Sequence, residues 1–265
     1  MKKTALLLLV ALATVAGPCK VYAWGEKGHK IVVALAERHL NQKTKMNIKK
    51  YLPDGMLKEA TWADSHRKDP EYAFTSRYHT MMMTPDFIYC PALRQADGGD
   101  CISGLHIIDY NLTHKSELKL TDSMMVFNIR MLIHIVGDMH CPAHAYLEQA
   151  PNNKWKCCYR GETLKSYHKL IDALPDYMYE GQRSRDVAGN LDKWPESRIS
   201  EVQDGSFTDW AQDCCNRDRV LYDINPVGTY ELDPKTVNKM QPAAKEALQA
   251  AGYRLAFLLN KYFDY

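Results

Sequence analysis

Residues 134–144 read His134-Ile135-Val136-Gly137-Asp138-Met139-His140-Cys141-Pro142-Ala143-His144. Upstream, Met125, Ile129, Leu132, Ile133 and Val136 recur at helical spacing, and Asp122 or Ser123 can cap the start. The stretch therefore predicts one helix from about residue 122 through His140. On such a helix His134 and Asp138 project from one face. Pro142 cannot continue the hydrogen-bond ladder, so it ends the helix and presents His144 just beyond. An imidazole and a carboxylate at this spacing can close on one metal ion, or they can form a local hydrogen-bonded pair. The rest of the chain decides between the two.

Helical patterns dominate on both sides. Residues 28–40 carry Ile31, Val32, Leu35, Ala36 and Leu40 at helical spacing, and a second helix over 44–52 stops at the turn Pro53-Asp54-Gly55. Further helices are predicted over 60–67, 102–115, around 167–172, 175–188, 195–215 and 242–263. Leu248, Leu255, Leu258 and Leu259 form the apolar stripe of the last. Residues 76–79 read as extended or irregular, 84–104 as loop, and 147–162 as a polar insert. No alternating run reads as a strand, nothing repeats at a fixed period, and no linker divides the chain. The expectation is an all-α fold, a single mainly helical domain over residues 24–265.

The start of the chain reads differently. Lys2 and Lys3, an apolar run from Ala5 to Val15 and then Val21-Tyr22-Ala23 have the form of a secretory signal peptide over residues 1–23, with the apolar run too short to span a bilayer. Cleavage would make Trp24 the first residue and leave 242 of the 265 residues, enough for one large core, in a secreted or periplasmic protein. Three lysines leave with the signal, so the formal balance falls from +2 to −1. A near-neutral chain without a long basic run does not grip duplex phosphates by counterion release, so any phosphate affinity must be local, and bound metal is a natural source. Seven cysteines remain: Cys90, Cys101, Cys141, Cys157, Cys158, Cys214 and Cys215. Export favours structural disulfides among them, Cys90 with Cys101 for example, over zinc-thiolate binding at the two adjacent pairs, with at least one thiol left over.

Other metal-binding residue types flank the central motif. Asp64 and His79 precede it, His168 and Asp172 repeat the four-residue spacing after it, and His29 lies five residues from the amine freed by cleavage. Imidazole and carboxylate ligands suit zinc, and such mixed sites commonly keep a position open for water or substrate. His39, His66, His106, His114 and His140 are assigned to surface or hydrogen-bonding roles, with His66 and His140 the first exceptions to consider.

Taken together, Trp24-Gly25-x-x-Gly28-His29, Trp62-Ala63-Asp64-x-x-Arg67, Tyr78-His79, His134-x-x-Gly137-Asp138-x-x-x-Pro142-x-His144 and His168-x-x-x-Asp172 resemble a known family. It is the zinc-dependent, single-strand-specific type I nucleases and 3′-nucleotidases of fungi, plants and some bacteria, whose fold is related to that of zinc-dependent phospholipase C. The resemblance implies three zinc ions. The Trp24 amine and carbonyl oxygen, His29 and Asp138 would hold one; Asp64, His79, His134 and again Asp138 a second; His144, His168 and Asp172 the third. It implies hydrolysis of single-stranded DNA or RNA to 5′-phosphate products, and removal of phosphate from 3′-mononucleotides. Asp64 would orient the attacking hydroxide, and Arg67 would brace the phosphate by forked hydrogen bonds. Thr80 and Met82 stand where many relatives carry an aromatic residue and an aspartate or asparagine for base recognition, so base preference stays open. Trp62 reads as core packing, and Met81-Met82-Met83 as buried filler or a plastic wall for a base. A zinc-dependent phospholipase C is the rival enzyme; the short Trp24 to His29 spacing and Asp172, where the phospholipases use glutamate, argue against it. An inert secreted metal-binding protein would need neither an open position nor Arg67.

Overall fold

Helix α6 (Asp122–His140) is enclosed on all sides along its second half, where every residue from Met131 to His140 is buried. A helix buried all round is the centre of a fold, and the other elements of this computed structural model, which describes residues 24–150 and 153–265, are placed around it. The expected signal peptide lies outside the described residues. In chain order the helices are α1 (Glu26–His39), α2 (Gln42–Tyr51), α3 (Met56–Glu59), α4 (Trp62–His66), α5 (Cys101–Thr113), α6, α7 (Tyr167–Asp172), α8 (Leu174–Met178), α9 (Ser184–Leu191), α10 (Glu196–Gln203), α11 (Phe207–Ile224) and α12 (Pro234–Phe263). The chain is a mainly helical single domain. No helix among the described residues is long and apolar enough to cross a membrane.

Local chemistry sets the helix ends. Thr121 caps α6 by accepting the Met124 N–H, and Asp100 with Ser103 forms a reciprocal capping box on α5. The helix expected over 195–215 is two helices, α10 and α11: Gly205 sits at φ +88° and Ser206 caps the second. Gly181, at φ +72°, likewise separates α8 from α9. Helix α12 starts earlier than its expected start at Pro242: Asp233 caps it, Pro234 opens it, and it runs through Pro242. That proline is on the exposed side, where water can take the carbonyl it leaves without an N–H.

Short strands appear where none were expected. β1 (Met81–Met83) pairs in parallel with β2 (Ala145–Leu147), Met81 opposite Ala145. The polar insert contains a hairpin of β3 (Cys157–Tyr159) and β4 (Glu162–Leu164), to which β5 (Glu231–Leu232) adds in parallel. The pleat of β1 resolves the methionine run: Met81 and Met83 are fully buried filler, while Met82 points the other way and is half-buried. Structural disulfides are not found among the described residues, whose seven cysteines are all free thiols. Five of them, Cys101, Cys141, Cys157, Cys214 and Cys215, are buried and so packed as small apolar side chains.

Helix α1 lies against α12, and Gly252 leaves no room for a side chain between them: a Cβ there would stand 2.5 Å from Leu35 Cδ2 and 2.7 Å from Leu35 Cβ. Gly252→Ala adds about 1 kcal/mol of helix propensity but overpacks a core site at a cost of about 1–3 kcal/mol. The expected outcome is lower stability, measured as an earlier urea midpoint with an unchanged slope.

Candidate metal centre

The site grows from one face of α6. His134 and Asp138, both fully buried, approach with Nε2 and Oδ2 3.1 Å apart. His29 reaches them from the first turn of α1: its Nε2 is 3.1 Å from Asp138 Oδ1, and its ring stacks on His134 with centroids 4.4 Å apart. That approach requires Gly137, because a Cβ there would lie 2.5 Å from His29 Nδ1. His79 ends the 3-10 segment Ala73–His79 and places Nδ1 2.8 Å from Asp138 Oδ2. Asp64, on α4, has Oδ1 3.6 Å from His79 Nδ1 and 3.7 Å from His134 Nε2.

A second group begins where α6 stops. Pro142–His144 forms a 3-10 turn, and the turn of His144 is fixed by a hydrogen bond between its Nδ1 and the His79 carbonyl. His144 Nε2 then lies 3.8 Å from Asp172 Oδ1, and His168 Nε2 3.1 Å from Asp172 Oδ2. His134 and His168 orient in the same way, their Nδ1 atoms bonded to the Ala60 and Ala143 carbonyls. A backbone acceptor on one ring nitrogen fixes the tautomer and leaves the other nitrogen's lone pair for a ligand. Trp24 is fully buried, and the Gly25 N–H donates to the Asp172 carbonyl at 2.7 Å, tying the start of the described chain to the site.

The donor set fits metal ions. Both oxygens of Asp64 and of Asp138, Asp172 Oδ2, His144 Nε2 and both nitrogens of His29 are buried without a hydrogen bond of acceptable geometry. Burying carboxylates in that condition costs several kcal/mol each, on the order of what a bound cation offsets. Three sets bring their ligand atoms within 4.8 Å of one another: His29, His134 and Asp138; Asp64, His79 and His134; and Cys141, His144 and Asp172. All the side chains expected as ligands are thus gathered, with His168 joined through Asp172. Cys141, which the sequence offers only as a disulfide partner, is among these candidate groups; its place inside the motif between Asp138 and His144 is the signal for it. Arg67 stands at the rim, 30% exposed, with Nη1 3.5 Å from Asp64 Oδ1.

Charge is shared unevenly. Burial works against ionising Asp138, yet His134 and His144 hold its carboxyl well below the usual range. Burial also disfavours the His134 cation, but Asp138 and Asp64 outweigh it and raise the group to about 9. His144, dominated by burial, is pushed down to about 4. The remaining histidines serve elsewhere. His39 bonds Asp192, His66 the Trp62 carbonyl and His114 the Tyr110 carbonyl, while His106 packs edge-on against Phe207. His140 faces Arg254, whose Nη1 is 2.9 Å from its Nε2. Trp62 is a packing residue, its ring occupied by His66, Tyr72, Phe127 and Arg130.

A family profile described as S1/P1 Nuclease matches residues 24–264. Nuclease S1 of Aspergillus oryzae is 25% identical over 282 residues, covering 96% of this chain and 96% of that protein. Endonuclease 3 of Arabidopsis thaliana is 25% identical over 269 residues, covering 91% and 89%; Endonuclease 5 of the same plant is 27% identical over 271 residues, covering 91% and 90%.

Ligation requires His134 neutral, whereas in the metal-free protein it is protonated below about pH 9. Metal binding at pH 7 should therefore release a proton from His134, with affinity rising toward pH 9; calorimetry in buffers of different ionisation enthalpy counts it. His144 gives the opposite sign. Its folded-state value of about 4 lies below the ordinary ~6.5, so the stability it contributes is present above pH ~6.5 and is lost as pH falls toward 4. Acid titration of the metal-free protein should show destabilisation beginning in that window.

Proposed function

The chain belongs to the S1/P1 nuclease family and is a hydrolase acting on phosphodiester bonds; on that premise we propose an exported, zinc-dependent nuclease of single-stranded DNA and RNA. It would yield 5′-phosphate products and also act as a 3′-nucleotidase. The observation that supports this most is the buried cluster of imidazole and carboxylate atoms lacking hydrogen-bond partners, with Arg67 at its rim.

Three zinc ions are part of this reading: Trp24, His29 and Asp138 would hold one, Asp64, His79, His134 and Asp138 a second, and His144, His168 and Asp172 the third. Bound zinc supplies Lewis-acid stabilisation of phosphoryl charge and brings the pKa of water toward ~7. The chain's own residues do the rest. Arg67 is held on one side by Asp64 and offers its remaining guanidinium N–H groups to two phosphate oxygens, a fork that lysine cannot reproduce. Asp64 would accept a hydrogen bond from the attacking water and so aim its oxygen at phosphorus, opposite the 3′-oxygen that leaves. Because Asp138 and His134 are fully buried and Asp64 nearly so, a phosphodiester must bend into the site, which favours a flexible single strand over a stacked duplex.

Removal of residues 1–23 frees the Trp24 amine beside the Gly25 to Asp172 anchor, so export would complete the ligand set. Protein bearing a short uncleaved extension before Trp24 should bind one ion fewer by metal analysis and lose about 100-fold or more in activity.

Purified mature protein incubated with single-stranded DNA, RNA, a 3′-mononucleotide and phosphatidylcholine tests the whole reading. Nucleotide release with 5′-phosphate ends is expected; lipid cleavage without it overturns the proposal. Arg67→Ala should lower kcat/KM by about 10²–10³-fold at unchanged metal content, and Asp138→Asn should lose two ions together.

A further inference from the structure

We infer that Cys141 is a thiolate ligand of the third ion, completing a four-donor set with His144, His168 and Asp172. This rests on the metal reading above and adds to it. Cys141 Sγ lies 3.6 Å from Asp172 Oδ1, which is in turn 3.8 Å from His144 Nε2. Metal-to-sulfur and metal-to-oxygen lengths of about 2.3 and 2.0–2.2 Å around a tetrahedral zinc set sulfur and oxygen roughly 3.5 Å apart. The observed spacing is thus that of two ligands on one ion. Cys141 does not stand alone. His144 Nε2 and Asp172 Oδ2 are both buried and lack hydrogen bonds, so the pocket the thiol faces already contains unmatched metal-binding atoms.

The backbone fixes this placement. Cys141 is the residue that ends α6, and its N–H donates to the carbonyls of Asp138 and Gly137 at 2.9 and 3.1 Å, with Pro142 locking the next step. The side chain is 1% exposed, so its orientation is set by the core rather than by solvent. Asp172 lies between the two flanks of the set, with Oδ1 toward Cys141 and His144 and Oδ2 toward His168.

Ligation replaces the S–H bond by a sulfur–metal bond, and the proton leaves to solvent; no electron is transferred. Two imidazoles, one carboxylate and one thiolate make four protein donors, which close the site at four-coordination. Such an ion meets substrate only by expanding to five-coordinate, and it fastens the end of α6, the turn of His144 and α7 to one point. A sulfur donor also makes this position the soft one of the three, favouring cadmium over zinc more than the others do.

The test uses mature protein stripped of metal and titrated with cobalt(II), with ions counted independently. The expected result is three cobalt ions bound and a near-ultraviolet thiolate-to-cobalt charge-transfer band, missing in Cys141→Ser. That variant should also bind its third ion more weakly, by more than the roughly 10- to 100-fold that losing a hydrogen-bonding neighbour of a ligand typically costs. Three ions bound with no such band, or with a band that survives in Cys141→Ser, overturns the assignment and leaves Cys141 a neutral thiol donating to Asp172. Failure to bind three ions at all overturns the metal reading itself. If Cys141→Ser does not fold, the native protein decides by X-ray absorption of the cobalt form, which must show a sulfur scatterer at about 2.3 Å.

Discussion

Three carboxylates, Asp64, Asp138 and Asp172, are taken out of water at one place and given few N–H groups to accept from. Isolated charges in a protein interior are among the most expensive arrangements a fold can contain, and they persist only beside a compensating positive charge. His134, drawn up to about 9 by its neighbours, supplies part of that compensation in the metal-free protein. The architecture around the carboxylates follows from this demand. Polar groups must be aimed inward from several directions, so helices α1, α4, α6 and α7 and two 3-10 segments each present one or two of them, while the apolar remainder of α6 keeps the surroundings dry.

The opposite side of α6 shows how the helix is held in position to do this. His140 sits two residues beyond Asp138, yet it is buried against Arg254 of α12, whose Nε bonds the Val202 carbonyl and whose Nη2 bonds Asp213. Burial and the facing Arg254 and Arg217 guanidiniums keep His140 well below the usual imidazole range, hence neutral. Its Nδ1 pairs with the Val136 carbonyl one turn back. Two histidines six residues apart on one helix thus have unrelated work: His134 faces the ligand cluster, and His140 anchors the helix end.

Much of this was legible in the sequence because it is periodic or spaced. The α6 pattern, the His134 and Asp138 pair, and the repeat of that pair at His168 and Asp172 all follow from counting along a helix. Strands of three residues give no period to count, so β1 through β4 were invisible, and the parallel pairing of β1 with β2 depends on residues some sixty positions apart. Helix divisions were missed where a single glycine does the dividing, at Gly181 and Gly205, since glycine also occurs inside helices, as Gly252 does. The early start of α12 had a readable signal in Asp233-Pro234, a capping residue followed by proline, which the more conspicuous Pro242 obscured. Cys141 is illegible for a different reason: an export signal favours cysteine pairing, whereas its neighbours in space are a histidine and an aspartate.

The parallel pairing of β1 and β2 joins the segment that carries His79 to the one that carries His144, and the His79 carbonyl meets His144 directly. Candidate ligands from positions 29 to 172 are therefore gathered against a helix with no solvent-facing side along its second half. That part of α6 is covered by packed elements along its whole length, so its backbone amides should exchange with solvent hydrogen only through large-scale opening. In kinetic terms the buried imidazole and carboxylate groups on this face of α6 would share the lifetime of the native state.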